Sequence, residues 1–131
     1  MSLVVLDTHA WLWWEAAPEH LSATAARTIS QADQVAICTI SCWELAMLAA
    51  RRRIGLDRPV DAWVRLALSR ERVEPLQLTA QAALTAAALP SDRFPADPAD
   101  RLIYASVRHA GAQLVTRDER LRRYDPALTV W

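Results

Sequence analysis

Leu3-Val4-Val5-Leu6-Asp7-Thr8-His9 places four apolar residues in a row ahead of a single carboxylate. A short unbroken apolar run reads as a β-strand buried on both faces, as in a parallel sheet, where an alternating pattern would mark a strand with one wet face. Asp7 then falls where the strand ends. In open α/β sheets ligands bind in the crevice outside the carboxyl ends of the strands, so Asp7 is a candidate site residue. The same position equally suits the N-cap of the helix that follows.

The 131 residues and 53% hydrophobic content suit one compact domain over residues 1–131. Cys38 and Cys42 lie in an apolar strand-to-helix region with no second cysteine pair, which predicts reduced core thiols and no zinc site. No basic n-region precedes an apolar stretch at the N-terminus, and no apolar run nears the roughly 20 residues that span a bilayer. The expectation is a soluble cytoplasmic protein without a membrane role. Net charge is zero, and all 15 basic residues are arginine. Arginine forks suit phosphate, and local basic patches bind polyanions even when total charge cancels; solvated helix faces explain the same residues. The absence of lysine argues against P-loop phosphate cradles, Schiff-base chemistry and a receiver domain with its usual lysine.

Along the chain, His9 to Glu15 predicts a short helix dense in tryptophan, ended by Pro18, with core or subunit-interface roles for its indoles. Ser22 caps a helix to Ala32, and Gln34 to Ile40 is the second strand. Ser41 and Glu44 fit a capping box opening a helix from Leu45 to Arg53 that ends near Gly55. Val60 to Arg72 is a further helix, Val73 to Leu78 an edge strand or connector containing Pro75, and Thr79 caps an alanine-rich helix to Leu89. Asp97 with Pro98 opens the next helix, which runs to Gly111 and carries Asp100 in its first turn. Gln113-Leu114-Val115 is a strand, Thr116 and Glu119 read as a second capping box, and Thr129 to Trp131 is a last short strand. The alternation predicts a three-layer α/β/α sandwich around a short, mainly parallel sheet.

Asp7, Glu44 and Asp118 each follow a strand and enter a helix, and Asp100 lies near another helix start. In a parallel sheet with right-handed crossovers these addresses share one side. Carboxylates crowded together repel, and a hard cation such as Mg²⁺ or Mn²⁺ relieves the repulsion through oxygen ligands while keeping places for water and phosphate oxygens. The matching chemistry is metal-assisted phosphodiester hydrolysis. A phosphatase with Asp7 as nucleophile fits poorly, because His9 stands where a second aspartate is expected and lysine is absent.

Four blocks carry a resemblance: Leu6-Asp7-Thr8-His9, Ser41-x-Trp43-Glu44-Leu45-Ala46, Asp97-Pro98-Ala99-Asp100-Arg101-Leu102-Ile103 and Leu114-Val115-Thr116-Arg117-Asp118. Together they resemble PIN-domain ribonucleases, specifically the VapC-type toxins of toxin–antitoxin systems. The resemblance implies a Mg²⁺- or Mn²⁺-dependent endoribonuclease. Asp7, Glu44, Asp100 and Asp118 would hold the ion, with Thr116 in support. It implies a homodimer silenced by a cognate antitoxin. The alternative is a catalytically weak module that binds RNA or a partner. Many relatives carry a lysine four residues after the matching glutamate, where Leu48 stands here. Asp100 is preferred to Asp97 as the ligand, His9 stays outside the set, and Ser41 is a cap first and a supporting contact second. Arg101 and Arg117 adjoin the acids and are assigned to RNA phosphate or to a restraining salt bridge.

Overall fold

A computed structural model describes residues 2–131. Leu3–Leu6 forms the first strand, β1, and Asp7 starts the helix Thr8–Ala16, α1. After a single 3₁₀ turn at Pro18–His20 come α2 (Ala23–Gln31), β2 (Gln34–Cys38), α3 (Thr39–Ala50) and α4 (Val60–Leu68). Then follow β3 (Val73–Leu76), α5 (Ala80–Ala88), α6 (Pro98–Ala110), β4 (Gln113–Val115), α7 (Glu119–Tyr124) and β5 (Thr129–Val130).

The strands pair in the order β3-β2-β1-β4-β5, every pair parallel. β1 is central, and residue alternation along it divides the core. Val4 and Leu6, with Val35 and Ile37, face Trp11, Ile29, Leu45 and Trp63 from helices α1 to α4. Val5, Ala36, Cys38 and Leu114 face Ile103, Tyr104 and Val107 of α6 and Leu121 of α7. This is the expected three-layer sandwich. Trp11 and Trp63 meet edge to face with centroids 5.3 Å apart. The buried Cys38 thiol is pushed up to about 12 by desolvation, which suits an inert core group. No helix among the described residues is long and apolar enough to cross a membrane.

Three local readings are corrected. β2 stops at Cys38 and α3 starts at Thr39, so Ser41 and Glu44 lie inside the helix and form no capping box. The second box fails in the opposite sense, because α7 starts only at Glu119: Asp118, not Thr116, caps it, its Oδ1 accepting from the amides of Arg120 and Leu121. Helix α4 ends at Leu68 instead of reaching Arg72, which sits at φ 69°. There its guanidinium donates to the carbonyls of Ile29 and Ala32 at the end of α2, and the chain turns into β3. The expected caps at Ser22, Thr79 and Asp97 do form.

Candidate active site

In the order β3-β2-β1-β4-β5 the chain moves outward from β1 in one direction and then returns to its other side, so the switch point lies between β1 and β4. Asp7 leaves the end of β1, and Thr116, Arg117 and Asp118 leave the end of β4. A cleft of about 380 Å³ opens at this place. Asp7, Glu44, Asp97, Asp100 and Asp118 line it, with Thr8, His9, Trp13 and Arg117. Four acids separated by up to 111 positions of sequence therefore share one cleft, with Asp97 beside them.

Four of the five acids are held by local devices. The amide of Ala10 donates to Asp7 Oδ1 at 2.8 Å, the N-cap bond of α1. Asp97 Oδ1 takes the amides of Ala99 (2.8 Å) and Asp100 (3.2 Å), and Asp118 Oδ1 those of Arg120 (2.8 Å) and Leu121 (3.2 Å). A carboxylate has two oxygens, so capping with one leaves the other for the cleft. Glu44, one turn into α3, accepts a hydrogen bond on Oε1 from the hydroxyl of the buried Thr8. Thr116, fully buried, joins two of the acids: its hydroxyl bonds to the Asp7 side chain and accepts from the Asp118 amide at 3.1 Å.

Among the described residues no cleft carboxylate has an ion-pair partner. The electrostatic consequence falls on Asp7 and on Asp100, the latter with no cap bond of its own. Burial, reinforced by Asp97, Glu44, Asp118 and Asp7, raises its carboxyl to about 7. Desolvation also lifts Asp7, opposed by bonds from Thr116 and Ala10, while Glu44 adds to the rise. The acids offer an all-oxygen donor set free of salt bridges among the described residues, which fits a hard divalent cation. Among the described residues no three acidic, histidine or cysteine side chains are already gathered at ion-holding spacing. The carboxylates ring the cleft instead of converging on one point.

The arginine assignments divide. Arg117 lines the cleft. Arg101 is directed elsewhere: it donates to the carbonyls of Pro95 (3.1 Å), Ala86 (3.0 Å) and Leu89 (3.1 Å) and ties α5 and the following loop to α6. Ser41 is buried with its hydroxyl unpartnered and does not line the cleft.

The sequence matches the PIN domain family over residues 4–126. This chain belongs to that family. A relative within reach of direct comparison is Ribonuclease VapC22 of Mycobacterium tuberculosis, 47% identical over 133 aligned positions that span all of both chains. Among solved structures, the PIN domain here superposes with a TM-score of 0.69 on a chain of a DNA-bound VapBC from Salmonella typhimurium, at 24% identity over 99% of this chain and 98% of that one. It superposes at 0.68 on a chain of VapBC-1 from nontypeable Haemophilus influenzae, at 20% identity over 98% and 96%. Those two likenesses establish the fold.

Three cleft residues of this PIN domain escaped the sequence reading. Thr8 carried no distinguishing signal, because a hydroxyl at a helix start ordinarily serves the local backbone. His9 reads from the sequence as a residue that hydrogen-bonds locally at the helix start. Trp13 reads, like the other tryptophans, as core or interface. The signal for it was present: Trp13 is four residues after His9, and residues one helical turn apart share a face.

Proposed function

We propose that this PIN domain is a metal-dependent endoribonuclease, the toxin of a toxin–antitoxin pair, acting in the cytoplasm as a homodimer and silenced by a cognate antitoxin. The observation that carries the reading is the gathering of Asp7, Glu44, Asp100 and Asp118 on one cleft, none of them in a salt bridge among the described residues. Full-length identity of 47% to a protein named Ribonuclease VapC22 supports ribonuclease chemistry.

Asp7, Glu44, Asp100 and Asp118 would hold Mg²⁺ or Mn²⁺, which when bound polarises the phosphoryl group and supplies an activated water. The chain's own contribution is positioning. Thr8 fixes the Glu44 carboxylate, and Thr116 couples the end of β1 to the start of α7, so that Asp7 and Asp118 keep a constant relation. Asp100 must shed the proton it keeps to about pH 7 before it can bind a cation, so ion binding releases protons and weakens below neutrality. Arg117 at the rim supplies a guanidinium fork for a substrate phosphate.

The test is cleavage of a single-stranded RNA pool with Mg²⁺ or Mn²⁺, by the wild type and by Asp7→Asn. Cleavage that needs the ion and falls at least about 100-fold in the variant is expected, since even outer-shell changes at metal sites cost about 10- to 100-fold. Equal cleavage by both proteins, or cleavage that survives a chelator, overturns the assignment.

A further inference from the structure

Trp13 stands apart among the six tryptophans. Trp11 and Trp63 are core residues, Trp14 and Trp131 pack against the core, and Trp43 is exposed. Trp13 is half-buried and lines the acidic cleft. Around its ring stand His9 and His20, each 5.7 Å between centroids, and Trp131 at 5.9 Å. The Arg117 guanidinium lies 5.9 Å from its centre. This indole packs against neither core cluster and stands half-buried beside unpaired carboxylates, an aromatic surface of the kind on which a flat, weakly polar ring stacks.

Trp131 leads onward. It also lines a second cavity of about 560 Å³, whose wall carries Arg122 and Arg123 with Thr24. One side-chain carboxylate, Glu119, shares that wall with the two guanidinium groups. From the acidic cleft across Trp13 and Trp131 to Arg122 and Arg123, the surface offers phosphate chemistry, then stacking area, then phosphate chemistry again.

We propose that Trp13 is the base-stacking element of a single-stranded RNA subsite, and that the strand continues past Trp131 to place a neighbouring phosphate at Arg122 and Arg123. The inference rests on the ribonuclease reading of the cleft. With the scissile phosphate at the carboxylates, the adjoining base lies on Trp13. Unstacked bases of single strands and loops are available for this, whereas paired bases are not. Every base has a π face, so stacking on Trp13 gives affinity and register with little base preference. The arginine wall adds an electrostatic, salt-sensitive share.

Binding is measured with cleavage disabled. The Asp7→Asn protein is titrated by fluorescence anisotropy with a labelled single-stranded oligoribonucleotide of about 12 nucleotides, within the site sizes of single-strand binders. Adding Trp13→Ala is expected to weaken binding by about 5- to 150-fold, the range for loss of one base–aromatic stack. Trp13→Phe retains most of the affinity. In the wild-type background Trp13→Ala raises KM and leaves kcat nearly unchanged. Arg122→Gln with Arg123→Gln lowers the slope of log affinity against log salt by about 0.7 per lost phosphate contact.

Replacing nucleotides one at a time by abasic residues needs no protein variant. One position is expected to match the loss seen in Trp13→Ala and to show no further loss when the two are combined. Binding unaffected by Trp13→Ala, Trp13→Phe falling as far as alanine, or the absence of any matching abasic position overturns the subsite. Cleavage that persists alongside such a result leaves the ribonuclease reading intact. The stacking signature without any cleavage supports the subsite and overturns the ribonuclease reading.

Discussion

Asp100→Asn should make the metal-free protein more stable at neutral pH, although it removes a residue assigned to the site. Burial and the neighbouring carboxylates of Asp97, Glu44, Asp118 and Asp7 raise the Asp100 carboxyl from 3.8 to about 7. An acid whose folded pKa lies above its unfolded value binds more protons folded than unfolded between the two, so stability falls as pH rises through that window. The gap from 3.8 to about 7, at about 1.4 kcal/mol per pH unit, is worth about 4 kcal/mol. Water entering an open cleft reduces this, and about 2 kcal/mol is expected at about pH 8, a sizeable part of a total stability of about 5–15 kcal/mol. The assay is thermal unfolding of both proteins in chelator from about pH 4 to about pH 8. The variant should melt about 8 °C higher at the alkaline end and converge with the wild type at the acid end. Mn²⁺ should then raise the wild-type Tm and barely move the variant. A variant less stable than the wild type at about pH 8, or a difference independent of pH, refutes the picture of an uncompensated carboxylate.

Thr116→Val keeps the side-chain shape and deletes the hydroxyl shared by Asp7 and the Asp118 amide; calorimetry should show Mn²⁺ affinity down about 10- to 100-fold. Arg101→Met removes three bonds to backbone carbonyls, so chemical denaturation should show a loss of about 2–3 kcal/mol while the folded variant still cleaves RNA. Asparagine caps helices as well as aspartate does, so Asp118→Asn should keep stability within about 0.5 kcal/mol and lose cleavage, whereas Asp118→Ala should lose cleavage and about 1 kcal/mol as well. Cleavage retained in Asp118→Asn would make that residue a cap alone.

The elements that could be read from the sequence are those whose signal is local and redundant. Leu3 to Leu6 had to be a doubly buried strand, and Asp97-Pro98 had to open a helix, because apolar runs and N-terminal prolines act through the residues that carry them. The two capping boxes misled for a shared reason. The S-x-x-E spacing describes a helix start only where the helix is capped at its first residue, and tertiary packing puts the caps at Cys38, before Ser41, and at Asp118, after Thr116. Arg101 misled differently. It follows Asp100 in the chain, but successive helical residues point about 100° apart, so sequence adjacency carried its guanidinium to the α5 carbonyls instead of the cleft. Convergence of the acids was legible only through topology, since nothing in the spacing of positions 7, 44, 100 and 118 brings them together until the sheet is taken as parallel.

For Asp7, Asp97 and Asp118, helix cap and site residue are not competing roles. Each spends Oδ1 on amides at the start of a helix, α1, α6 or α7. The positive ends of three helices therefore face the same cleft. That arrangement lets a folded chain tolerate most of the crowded negative charge before any cation arrives, and it aims the remaining carboxylate oxygens by the rigid frame of β1 and the helix starts. Asp100 lacks a cap bond, and it is the acid whose carboxyl is carried to about 7. Burial and the neighbouring acids lift Asp7 as well as Asp100, so a proton or a divalent cation is taken up at these two residues, and the coupling between pH, ion binding and stability runs through both.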